Sequence, residues 1–224
     1  IQGEHGAEAF QGDVVPFRLA VEGLDPGAHT IHINYDFTAG GHKAYDFLAT
    51  WNETENPGLC DVGGGGVSSM CPSLGTVDTE GFPSDPFSAT DSGLTVAGAE
   101  IFSGVGRELT MYGGTITSIT PAGGPAHAGD DDANSTGDFL VSFSSTGSAV
   151  LFAWGGHLAE STYWNGGAPP DGAGQINGAP WHMRTQSLDG GGASNQDRSI
   201  QPSALNPPTP SPSPSPTPTP TPSP

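Results

Sequence analysis

Apolar and polar residues alternate with a period of two along much of this chain, a period that belongs to strands rather than helices. Between Asp13 and Glu22, Val15, Phe17, Leu19 and Val21 fall on one face. Between Ala28 and Phe37, Ile31, Ile33, Tyr35 and Phe37 form an apolar face, opposite Thr30, His32, Asn34 and Asp36. The intervening Gly23-Leu24-Asp25-Pro26-Gly27 has turn chemistry, with Pro26-Gly27 suited to a type II bend. Two alternating runs joined by a short turn predict an antiparallel hairpin. Tyr45–Trp51 extends the sheet or forms a short helical turn. Further strands are predicted at Leu94–Phe102, Glu108–Tyr112, Thr115–Thr120, Phe139–Phe143 and Ala149–Trp154, and one or two more within Ile176–Leu188 and Ser199–Leu205. Asn52–Ser92 reads as an irregular excursion holding both cysteines, and a loop of that length usually carries function or an interaction surface.

No long window keeps a 3.6-residue period, and 35 glycines and 22 prolines punctuate the chain every few residues. The expected fold class is therefore all-β: a two-sheet antiparallel sandwich with long loops, a jelly roll being one topology open to about eight to ten strands. Residues 1–206 form the sandwich domain and residues 207–224 a separate tail. That tail, Pro207 to Pro224, contains only Pro, Thr and Ser. Proline at alternate positions fixes φ and removes backbone donors, which leaves extended polyproline II of roughly 55 Å at about 3.1 Å per residue. Thr209, Ser211, Ser213, Ser215, Thr217, Thr219, Thr221 and Ser223 point outward from it as O-glycosylation candidates.

Charge narrows the partners. Arg18, Lys43, Arg107, Arg184 and Arg198 oppose 24 carboxylates, for a formal net charge of −19. Such a surface repels nucleic acid and anionic membranes, and no apolar run reaches the length of a membrane span. Cys60 and Cys71 bracket a glycine-rich segment; a disulfide there closes a loop of about a dozen residues, worth roughly 2–3 kcal/mol. No further zinc ligands lie nearby in sequence, so pairing in an oxidising compartment is the expectation. The chain starts at Ile1 rather than Met, which fits removal of a signal peptide. Secreted, extracellular or cell-surface location follows.

Several constellations could carry chemistry. In the acidic run Asp130–Asp138, Asp130, Asp132 and Asn134 match positions 1, 3 and 5 of a calcium loop, with the Thr136 carbonyl at 7 and Asp138 at 9. Ser135 stands where that loop wants glycine and Val141 where it wants glutamate, so a solvated acidic turn is the other reading. His42, Asp46, His157 and His182 could bind a transition metal or exchange protons, or could hydrogen-bond the backbone in a packed corner. No HExxH, GxSxG or P-loop is present. Among the aromatics Trp51, Trp154, Tyr163, Trp164 and Trp181, the Tyr163-Trp164 pair is the best placed to stack on a sugar, while Trp154 reads as core. The sequons at Asn52 and Asn134 are N-glycan candidates, the second competing with calcium for one loop.

Three phrases together, WGGHLAESTYW, GAPWHMRTQSLDGGGASNQDRSIQ and HINYDFTAGGHKAYDFLATWN, resemble an amino-terminal domain of bacterial surface proteins. In such proteins the domain precedes Ig-like or prealbumin-like repeats and Pro/Thr-rich spacers. The resemblance covers about residues 10 to 205. It implies a cell-surface role without known catalysis, and it emphasises His42, Asp46, His157, His182, Asn195, Asp197 and Arg198 as one polar cluster at the end of the sandwich. The reading that follows is a non-enzymatic structural subunit that self-associates into a filament, matrix or surface layer. Ile1–Phe10 or the end of the globular domain would donate a strand, and the tail would form a glycan-bearing coat. The alternative is a carbohydrate-binding or adhesion module on a Pro/Thr linker.

Overall fold

A computed structural model of the chain describes residues 2–3, 11–51, 74–83, 105–122, 127–161, 164, 169–192 and 195–205. Cys60, Cys71, Asn52, Tyr163, the strand expected at 94–102 and the tail hydroxyls lie outside the described residues.

The described strands are β1 (Gln2–Gly3), β2 (Val14–Glu22), β3 (Gly27–Ala39), β4 (His42–Lys43), β5 (Tyr45–Ala49), β6 (Val77–Gly81), β7 (Glu108–Tyr112), β8 (Gly114–Pro121), β9 (Ala128–Gly129), β10 (Ser135–Ser145), β11 (Ala149–Leu158), β12 (Trp181–Gln186) and β13 (Gln196–Ile200). They form two antiparallel sheets packed face to face, with no closed barrel. One sheet runs β1-β2-β11-β7-β6, with β5 following β7 along the same edge of β11. The other runs β13-β12-β3-β10-β8, with β4 on β3 and β9 on β10.

The inward residues of the predicted strands are the observed core. Phe17, Leu19 and Val21 of β2 and Val150, Phe152 and Trp154 of β11 meet Ile31, Ile33, Tyr35 and Phe37 of β3 and Phe139, Val141 and Phe143 of β10 in one cluster. Phe143 and Phe152 join the sheets edge-to-face at 5.0 Å between centroids, a geometry that aromatic quadrupoles favour. β11 is buried on both faces, because its outward Leu151 and Ala153 pack with Trp51.

The predicted hairpin of β2 with β3 does not form. The two strands lie in opposite sheets, β2 paired with β11 from Val14 to Glu22 and β3 with β10 from Gly27 to Thr38. Their apolar faces oppose each other across the core, and the Gly23–Gly27 link crosses between sheets with Leu24 buried and its N–H on the Ser148 carbonyl. Period-two alternation fixes the face of a strand, not its edge partner, and the longer ladders win. A real hairpin follows: β3 turns at Gly40-Gly41, φ +60° and +81°, into β4. Two consecutive positive φ values suit glycine, the usual requirement of a two-residue hairpin turn. The excursion after Trp51 also contains β6, which pairs with β7.

Candidate functional site

Alternation on β3, β10, β12 and β13 places a set of polar side chains on the outer face of the seven-stranded sheet. Trp181, Met183 and Thr185 of β12 are buried, so His182 and Arg184 point the other way. The register aligns Asp197, Arg184, Asn34 and Asp138 in a row across four strands. Arg184 anchors that row. Its Nη1 donates to Asp36 Oδ1 at 2.7 Å and Asn34 Oδ1 at 3.2 Å, and its Nε lies 3.5 Å from Asp197 Oδ2. Asp36 Oδ2 also accepts the His182 backbone N–H at 2.8 Å, and His182 Nδ1 meets Asp197 Oδ1 at 2.8 Å. His32 Nδ1 contacts Asp138 at 3.0 Å. Burial pushes the Asp138 carboxyl above its usual range, and the bond to His32 offsets part of that rise.

Where this face meets the end of the sandwich there is a cleft of about 450 Å³. Asp36, Thr38 and the β3–β4 turn form one wall, Asn134–Thr136 another, and the stretch from Ile176 to Pro180 a third, with Arg184 at the floor. Backbone bonds hold it: Gly40 N–H donates to Asn134 Oδ1 at 2.9 Å and Gly41 N–H to the Ala133 carbonyl at 2.6 Å. Behind them the buried hydroxyls of Thr38 and Ser135 bond at 2.8 Å.

A second polar group is sealed inside. Asp46 is fully buried on β5 and accepts from His157 Nδ1 at 2.7 Å and from Trp164 Nε1 at 3.1 Å. The His157 ring lies flat on Phe47, 4.3 Å between centroids. Beside it, Lys43 is buried with Nζ 3.3 Å from Asp171 and 5.7 Å from the Phe37 and Trp164 ring centres. His42 holds the other oxygen of Asp171 at 2.9 Å.

Comparison with family models, curated proteins and solved structures finds no match.

The geometry revises several sequence expectations. The seven residues emphasised as one cluster separate into different places. Asp46 and His157 are buried in the six-stranded sheet, and His42 sits with Asp171. His182, Asp197 and Arg198 lie in β12 and β13 of the other sheet, while Asn195 accepts the Ser187 N–H. Trp164 is a core residue, 1% exposed, so it offers no stacking face. Trp51, Trp154 and Trp181 are buried as well.

The Asp130–Asp138 run follows a hydrogen-bonded backbone path. It is a turn from β9 into β10, closed by Asp130 N–H on the Asn134 carbonyl and Ala133 N–H on the Asp130 carbonyl. Asp132 N–H bonds Asp130 Oδ1, Asn134 Oδ1 is spent on Gly40, and Asp138 pairs with His32. Thr136 and Asp138 lie on an extended strand at about 3.3 Å per residue, which carries them away from the turn. The residues present do not fit a calcium loop. Among the described residues no group of three or more His, Cys, Asp or Glu is placed to hold a metal. Asn134, the described sequon asparagine, is exposed at the rim of the cleft.

Sequence reasoning missed the pairing rule. Each of the six described histidines faces an aspartate through Nδ1: His29–Asp189, His32–Asp138, His42–Asp171, His127–Asp131, His157–Asp46 and His182–Asp197. In a chain with 24 carboxylates and five Lys or Arg, imidazoles stand beside carboxylates that have few other basic side chains to meet. His29 is the clearest case. Its Nδ1 lies 2.7 Å from Asp189 Oδ2 and its Nε2 2.7 Å from the Asp25 carbonyl, so two acceptors call for a doubly protonated ring. The Asp189 hydrogen bond raises the His29 pKa, against a lowering by burial. Burial alone would raise Asp189, but its bonds from His29 and the Thr30 N–H pull it below the usual carboxylate range.

The sign of the pH dependence follows. The raised His29 contributes stability that is full below about pH 6.5 and fades as pH climbs through its folded pKa. The lowered Asp189 contributes above about pH 4 and fades as pH falls through its own. The pair is therefore worth most between roughly pH 4 and 6.5. Melting curves should show the largest deficit of His29→Gln near roughly pH 5.5 and a smaller one near pH 8.5. A deficit that grows with pH would refute the assignment.

Proposed function

We propose that the chain is a non-catalytic structural subunit of an extracellular filament, matrix or cell-surface assembly, carried on a glycosylated Pro/Thr/Ser stalk. The observation that supports this best is the edge of the six-stranded sheet. β2 pairs with β11 at all nine residues from Val14 to Glu22, and among the described residues its other edge carries β1, at Gln2↔Arg18 and Gly3↔Phe17. An edge already occupied by the amino-terminal segment of the same chain is the kind of pairing that two copies can exchange by strand addition. The opposite situation holds at β13, an exposed edge strand bearing Asp197 and Arg198, where charge discourages pairing. In the assembly, the amino-terminal segment of one copy lies on β2 of the next.

The alternative of an aromatic sugar-stacking module has no support from the tryptophans, all four of which are buried. Among the described residues no helix is long and apolar enough to cross a membrane. Sedimentation and electron microscopy of the secreted chain test the proposal. Regular filaments or sheets are expected, and they should be lost when residues 1–10 are removed while the melting transition of the domain is retained. Monomers at every concentration would overturn the reading.

A further inference from the structure

We infer that the cleft between the β3–β4 turn, the start of β10 and the approach to β12 binds one residue of an uncharged sugar. The volume, about 450 Å³, lies within the range of small-ligand sites, roughly 300–1,000 Å³. Its lining is electrically balanced: among the described residues the charged side chains that line it are Asp36 and Arg184, which pair at 2.7 Å. An anionic ligand would face a chain of net charge −19, and a cationic one would have to displace a guanidinium already bonded to Asn34 and Asp36. A neutral ligand meets neither penalty.

The lining also matches the mixed surface of a pyranose, hydroxyls on the rim and C–H on the faces. Ala39, Ile176, Ala179 and Pro180 supply apolar area. Between them stand Thr136, Asn134 and Asn177. The Asn134 oxygen accepts the Gly40 N–H, and its amide N–H₂ is the group left to donate. The Asn177 amide nitrogen donates to the Gln175 carbonyl, which leaves its oxygen as an acceptor. Asp36 keeps further lone pairs, since a carboxylate accepts about four bonds. Donors and acceptors are thus fixed before a ligand arrives, the condition under which ordering costs least.

This inference does not depend on filament formation and is tested on the full chain in solution. Saturation-transfer NMR with the methyl glycosides of glucose, galactose, mannose and N-acetylglucosamine should show transfer from the protein to at least one of them, at millimolar affinity. Thr136→Val and Asn177→Ala should each weaken that binding about tenfold, with melting points unchanged, because each removes a hydrogen-bonding group at an accessible site. Transfer to none of the four, or transfer that both variants leave intact, overturns the inference. Native assemblies then distinguish the source of the sugar. If the bound glycoside disperses them, the cleft holds a neighbour's tail glycan; if they bind it and persist, the cleft takes an external polysaccharide. Either result requires the cleft.

Discussion

Asp46→Ala is expected to cost about 3–5 kcal/mol, because it leaves two buried donors without their acceptor at roughly 1–3 kcal/mol each. The carboxylate is fully buried and takes hydrogen bonds from His157 Nδ1 and Trp164 Nε1, both themselves almost fully buried. Alanine leaves two donors without an acceptor in a place water does not reach, and each orphaned group carries its own desolvation penalty. In a domain of about 200 residues, where 1 kcal/mol shifts the melting temperature by about 2–4 °C, the loss amounts to roughly 6–20 °C.

Two further variants separate the causes. Asp46→Asn keeps an acceptor for one donor but opposes its amide N–H₂ to the other, so it should fall between the parent and alanine. The pair Asp46→Leu with His157→Phe replaces both partners by apolar groups and should recover much of the loss, because the penalty belongs to unpaired groups rather than to a missing attraction. Thermal unfolding by circular dichroism reads all three. A loss in Asp46→Ala below about 2 °C would show that neither donor depends on this carboxylate.

How far the fold could be read from the chain depended on the range of the interaction. Faces were local information: Ile31, Ile33, Tyr35 and Phe37 turn inward on β3 as their alternation demands, and His32 and Asp36 turn outward. Edges were not, which is why β2 and β3 read as a hairpin yet belong to different sheets. The polar pairs are longer-ranged still. Asp46 and His157 are 111 residues apart, and Asp36 and Arg184 148 apart. A period along the chain carries no trace of such a pairing. Trp164 shows the same limit. In sequence it sits among turn residues and reads as exposed, but an aspartate 118 residues away accepts its N–H and draws it into the core. In the acidic run, residue spacing along the chain carried no sign that Thr136 and Asp138 lie on a strand paired with β3.

The phrase WGGH in β11 is explained by packing, and Gly155→Ala tests that explanation. β11 is flanked by β2 on one edge and by β5 and β7 on the other, and both of its faces are covered. Gly155 lies opposite Pro16 and Ala49. A Cβ there would run into Val14 Cγ1 and sit 2.8 Å from the Thr50 carbonyl oxygen. Gly156 meets the other face, where a Cβ would be 2.8 Å from Met183 Cε and from the Tyr45 ring. Val14 can rotate, but the Thr50 carbonyl is backbone and moves only with the end of β5. Gly155→Ala should therefore cost about 3 kcal/mol, near the top of the range for overpacking, and lower the melting temperature by roughly 6–12 °C. Gly147→Ala is the matched control: nothing lies within 4 Å of its added Cβ, and a change within about 0.5 kcal/mol is expected. Equal melting points for the two variants would mean that β11 tolerates a side chain on its covered face, and the paired glycines would then need a reason other than space. A large gap would tie the motif to the close approach of β2 and β5 across β11, the same packing that buries His157 against Asp46 and places that pair beyond the reach of any ligand.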